Sequence, residues 1–118
     1  MKQFFQAFAY AFVGIKESIK KGRNLKIHLS LALTVVFLGL FLGITRIEWL
    51  ILILTITTVL AAEIFNSVLE DQCDLLKEEN HLKYERTKFI RDASAGAVLI
   101  LALGAALVGC LIFLPYLR

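Results

Sequence analysis

A chain of 118 residues with 58% hydrophobic side chains and a formal net charge of +3 has the length of one domain. Its mean hydropathy of +0.75, with the apolar residues gathered in long runs, excludes an ordinary soluble globule and points to an integral membrane protein. The basic residues alternate with acids or abut apolar runs, which suits topology and lipid-surface charges and argues against a nucleic-acid partner.

The first element covers residues 3–21, where Phe4, Phe5, Phe8, Phe12, Ile15 and Ile19 recur at helical spacing and Lys16, Lys20 and Lys21 gather at the far end. It is too interrupted to span a bilayer. It suits an amphipathic helix lying in the interface, or one packed on other helices. No continuous apolar core with a small-residue cleavage site is present here, so no cleavable signal peptide is expected. Gly22 sits where a left-handed residue closes a helix. The first span follows over about 27–44, with His28 near its start expected to be interfacial packing. Thr45 to Glu48 is predicted to be a short hairpin loop, and Trp49 opens the second span, about 49–70, as an interfacial aromatic. Residues 71–92 are crowded with charge and read as a solvated connection. A third span over about 92–114 is rich in Ala and Gly, which permits close helix approach, and Pro115 ends it. Cys73 and Cys110 fall near opposite ends of neighbouring spans, so neither a disulfide nor a metal motif is expected.

Six of the 13 Lys and Arg residues lie in 1–26 and five in 71–92, leaving only Arg46 and Arg118. The positive-inside rule then puts the N-terminus and the 71–92 segment in the cytoplasm and the C-terminus outside, in a multi-pass protein of the cell membrane.

One stretch departs from this plain pattern. Glu63, Asn66, Ser67, Glu70 and Asp74 fall within about a third of the circumference of a helix, while Ile64, Phe65, Val68, Leu69 and Cys73 cover the rest. At 1.5 Å per residue, Glu63 lies about 21 Å and Glu70 about 31 Å beyond Trp49. In a hydrocarbon core about 30 Å thick, Glu63 is then inside the cytoplasmic leaflet and Glu70 at its boundary. Carboxylates at lipid depth are expensive, and a stripe of five polar groups reads as a site rather than one interhelical hydrogen bond. Graded from buried to wet, it suits chemistry that joins a lipid head group to a soluble substrate.

The segment Ala62-Glu63-Ile64-Phe65-Asn66-Ser67-Val68-Leu69-Glu70 with Asp74 resembles the E-x-x-N-[ST]-x-x-E-x-x-x-D signature of the small prokaryotic diacylglycerol kinase and undecaprenol kinase family. Further similarities are Arg91-Asp92-Ala93-Ser94-Ala95-Gly96-Ala97-Val98-Leu99, Tyr10-Ala11-Phe12-x-Gly14-Ile15, Arg23-Asn24-Leu25-Lys26-Ile27-His28 and Glu48-Trp49. The resemblance covers nearly the whole chain and is nearer the undecaprenol kinase branch. It implies an all-α integral membrane homotrimer, with an N-terminal surface helix and three transmembrane helices per subunit and active sites shared between subunits. It also implies transfer of the γ-phosphate from Mg-ATP to a lipid hydroxyl, undecaprenol first and diacylglycerol second. By the same resemblance Glu63 is the catalytic base, Glu70 holds Mg²⁺ and Asn66 supports the site. Tyr10, Asp74, Arg91 and Asp92 fall on positions around the nucleotide.

The residue chemistry agrees. Phosphoryl transfer asks for a metal on the phosphate oxygens, a group to take the hydroxyl proton and a cation for the transferred charge. Glu70 and Asp74 offer hard oxygens suited to Mg²⁺, and Arg91 offers the cation. Three features depart from the family pattern. Gly22 stands where a metal-binding glutamate is usual, Arg91 replaces a lysine, and the Asp74–Arg91 interval is about three residues longer, which displaces His81. They motivate an alternative reading, a catalytically weakened or silent relative acting as a membrane scaffold. A small proton-coupled transporter using Glu63 is a third reading, but it explains neither Glu70 with Asp74 nor the charged segment.

Overall fold

A computed structural model of the chain describes residues 1–80 and 83–118. Four helices follow in order, α1 Lys2–Lys21, α2 Arg23–Leu42, α3 Arg46–Glu79 and α4 Tyr84–Phe113, closed by a 3₁₀ turn at Leu114–Leu117. There is no strand among the described residues. The expected all-α class, with one leading helix and three apolar ones, is the observed one: α2, α3 and α4 are each long and apolar enough to cross a membrane.

α1 ends with Lys20 and Lys21 in its last turn, where cations oppose the negative end of the helix dipole. Gly22 follows in an extended conformation (φ −90°, ψ 109°), not the left-handed one its position predicts. Space, not torsion, explains the glycine: a Cβ there would lie 3.0 Å from the Ser18 carbonyl oxygen and 3.3 Å from Leu25 Cβ. A side chain at this corner would require the Ser18 carbonyl or Leu25 to give by a few tenths of an ångström. α1 buries none of its residues; Ser18 and Ile19 are half-buried, and the Phe4, Phe5, Phe8 and Phe12 rings stay exposed.

The left-handed glycine is Gly43 (φ 65°), which stops α2 two residues before the predicted end. Its N–H and that of Ile44 both donate to the Gly39 carbonyl, at 3.0 and 3.2 Å, satisfying the open end of the helix. The loop predicted at 45–48 is instead the first turn of α3. Thr45 Oγ1 accepts from the Glu48 N–H at 3.3 Å while Glu48 Oε2 accepts from the Thr45 N–H at 2.8 Å, a reciprocal cap that starts the helix at Arg46. The Tyr116 hydroxyl donates to the same Glu48 oxygen at 2.5 Å, tying the C-terminal turn to this corner. Beside it Ile44, Leu52, Ile112 and Phe113 form the hydrophobic core, with Trp49 and Val108 packed against it.

Trp49 is thus half-buried rather than only interfacial, and Gly39 makes room for it. A Cβ on Gly39 would stand 3.0 Å from Trp49 Cη2 and 3.1 Å from Ile44 Cδ1. Gly39→Leu should therefore overpack the corner and cost about 1–3 kcal/mol, read as a lowered thermal unfolding midpoint in detergent.

α3 has 34 residues, which at 1.5 Å each is about 51 Å, well beyond the ~30 Å hydrocarbon core. The segment predicted to be a solvated connection is mostly the facing ends of α3 and α4, which stop only at Glu79 and resume at Tyr84. Cys73 and Thr87 are buried there while most of the charges stay outside, so each end remains helical despite its charge density. His81, expected to be displaced from the family position, lies outside the described residues. Cys73 and Cys110 are both free, one buried and one exposed. Between 11% and 17% of the residues in the three apolar stretches are buried within the chain, which leaves most of their surface for surroundings as apolar as themselves.

Candidate active site

At the end of the bundle away from the core, the α1–α2 corner rests against α3 and encloses a polar cleft of about 380 Å³. Glu63 and Glu70 both line it, joined by Glu17 and Lys21 from α1, Arg23 from α2 and Asp71. The two principal carboxylates of the predicted stripe therefore share one space. Glu63 is 3% exposed. Ser67 donates its hydroxyl to the Glu63 backbone carbonyl at 3.1 Å rather than to the carboxylate, the usual hydroxyl back-bond in a helix.

Asn66 is 4% exposed and does two things at once. Its amide N–H donates to Glu70 Oε1 at 3.0 Å, and its Oδ1 accepts from the Ser94 hydroxyl at 2.8 Å. One side chain thus fixes how Glu70 presents itself to the cleft and joins α3 to α4 at the same depth. One turn further along, Asp74 forms an ion pair with Arg91 across the two helices. Asp92 is exposed and 3.4 Å from Lys88 on its own helix. Tyr10 is exposed on α1, about two turns before Glu17 and outside the cleft. The structure therefore brings Glu63, Asn66 and Glu70 into one constellation and Asp74 with Arg91 into a second. Asp92 and Tyr10 join neither within this chain.

Glu17, Lys21, Arg23 and Asp71, none of them among the predicted site residues, enter because of the corner at Gly22, and Ser94, also not predicted, enters because of the α3–α4 register. His28, expected to be interfacial packing, places Nε2 3.9 Å from Glu63 Oε2. Lys21 and Asp71 approach to 3.9 Å across the cleft mouth, but both are exposed, so this pair adds at most about 0–1 kcal/mol. The cleft carries acids and cations side by side.

Among the described residues no three His, Cys, Asp or Glu side chains converge as a metal cage. Mg²⁺ that arrives with phosphates does not need one: one or two carboxylates suffice, and phosphate oxygens and water complete the octahedron. Glu70, with one oxygen fixed by Asn66, fits that donor set.

Residues 9–113 match the model of the prokaryotic diacylglycerol kinase family. The chain belongs to this family. It is 34% identical over 117 residues to an undecaprenol kinase from Bacillus subtilis (strain 168), covering 99% of this chain and 93% of that one. It is 32% identical over 109 residues to a diacylglycerol kinase from Synechocystis sp. (strain ATCC 27184 / PCC 6803 / Kazusa), covering 92% of this chain but 61% of that protein. No solved structure matches the chain. The family is one of prokaryotic lipid kinases, and its match covers every element that forms the cleft.

Proposed function

We propose that this protein is a membrane lipid kinase that transfers the γ-phosphate of ATP, with Mg²⁺, to the hydroxyl of undecaprenol or, second, of diacylglycerol. The observation that carries this reading is the shared cleft: a buried Glu63 and a half-buried Glu70 facing one polar space that Lys21 and Arg23 also line. Glu63 takes the proton of the lipid hydroxyl. Glu70, oriented by Asn66, holds Mg²⁺, which when bound neutralises charge on the phosphate oxygens. Lys21 and Arg23 attract the polyphosphate from the aqueous side. Asp74, Arg91, Asp92 and Tyr10 lie around the nucleotide. In a homotrimer with shared sites, Tyr10 and Asp92, which lie outside this chain's own cleft, serve the cleft of another copy. The N-terminus and the cleft face the cytoplasm, where ATP is, and the exposed phenylalanines of α1 rest on the membrane surface. Radiolabelled ATP with each lipid in mixed micelles, with and without Mg²⁺, tests this: transfer to neither lipid by folded protein overturns it.

The Gly22 corner favours one competing reading, a catalytically weakened or silent scaffold. Gly22→Glu, with Gly22→Ala as the control for crowding against Ser18, separates the two. Activation by the acid alone marks an impaired kinase. Inactivity of every form marks the scaffold.

A further inference from the structure

The titratable group beside the Glu63 carboxylate is the His28 imidazole, at 3.9 Å. Both side chains are largely buried, with exposures of 4% and 21%. One helical turn separates Asn24, which lines the polar cleft, from His28, which lines a second space. That space is an apolar groove of about 310 Å³ between α2, α3 and α4, walled by residues such as Val35, Leu52, Val59 and Ala105. The His28–Glu63 pair therefore stands where the wet cleft and the oily groove meet.

The separation itself is informative. At 3.9 Å the two groups are too far apart for a hydrogen bond, although two desolvated polar groups gain most by closing one. The gap has the width that a bridging oxygen needs: an alcohol about 2.8 Å from each atom would subtend an angle of about 90°. We propose that His28 is a second residue contacting the lipid hydroxyl. Its Nε2–H donates to the alcohol oxygen while the alcohol donates to Glu63. This rests on the kinase reading above and adds a residue to it. In the step, the hydroxyl O–H bond breaks and its proton passes to Glu63. The oxygen's electron pair forms the new bond to the γ-phosphorus, and the bond to the β–γ bridging oxygen breaks with its electrons leaving on ADP. His28 keeps its proton throughout and sets the direction of the attacking oxygen.

Two amides test this. Glutamine can place an N–H where Nε2 is, whereas asparagine reaches only as far as Nδ1. With the full-length protein in mixed micelles, His28→Asn should lower kcat/KM for the lipid alcohol about tenfold to a hundredfold, while the KM for ATP stays within about twofold. His28→Gln should keep most of the wild-type value, and both variants should elute and melt as wild type does. Equal losses in the two variants, or none in either, from active wild type overturn the assignment of His28 alone. Wild type that phosphorylates neither lipid overturns the kinase reading and this assignment together.

Discussion

Glu63→Gln is expected to reduce phosphoryl transfer to the lipid by about a hundredfold to ten-thousandfold, the usual contribution of a positioned general base. The substitution is nearly isosteric, so the buried site on α3 keeps its packing, and the amide carries no anion to desolvate. What it loses is the ability to accept the hydroxyl proton. Steady-state rates at saturating ATP and Mg²⁺, beside size-exclusion profiles of both proteins, check this. A near-normal rate from the glutamine protein would remove Glu63 from the role of base.

Glu70→Gln should fail differently. Its side-chain carbonyl can still accept the Asn66 N–H, so the link through Asn66 to Ser94 and α4 is preserved. The charge that would draw Mg²⁺ in the proposed role is lost. Losing even an outer-shell partner of a metal ligand costs about 10–100-fold in metal affinity, so removing the ligand's charge should raise the Mg²⁺ needed for half-maximal rate at least that much. Rate against Mg²⁺ at fixed ATP gives the answer. Recovery at high Mg²⁺ identifies a metal ligand; an unchanged Mg²⁺ requirement would exclude Glu70 from that role.

The contrast between these residues and their neighbours shows how far the sequence could be read. Glu63, Asn66 and Glu70 recur along one helix at spacings of three and four, so a single periodicity brings them together without knowledge of any other element. His28, Glu17 and Ser94 depend on how helices meet, and no local spacing encodes that. The glycines show the same division. Lys20-Lys21-Gly22 has the composition of a left-handed stop, yet the corner is extended, and what favours glycine there is the limited space beside the Ser18 carbonyl and Leu25. Gly43 takes the left-handed conformation instead. The Thr45-x-x-Glu48 spacing is a capping-box signature and could have been read as a helix start. A short polar stretch between two apolar runs has the composition of a loop as well, so composition alone does not separate the two. The charged 71–92 stretch misled in the opposite direction, since its helical faces are held by side chains as modest as Cys73 and Thr87.

The cap at the far corner has one more consequence. It fastens one end of an unbroken helix, so the lengths of about 21 and 31 Å from Trp49 to the two acids are set by backbone geometry and do not stretch. For a kinase of the proposed kind and orientation, the host lipid is therefore a reaction variable. Longer acyl chains would submerge Glu70 and separate it from the nucleotide, whereas shorter ones would flood Glu63 with solvent. With the cleft at the inner surface, as proposed, the protein would carry its own depth gauge, calibrated at the outer surface and read out as turnover at the inner one.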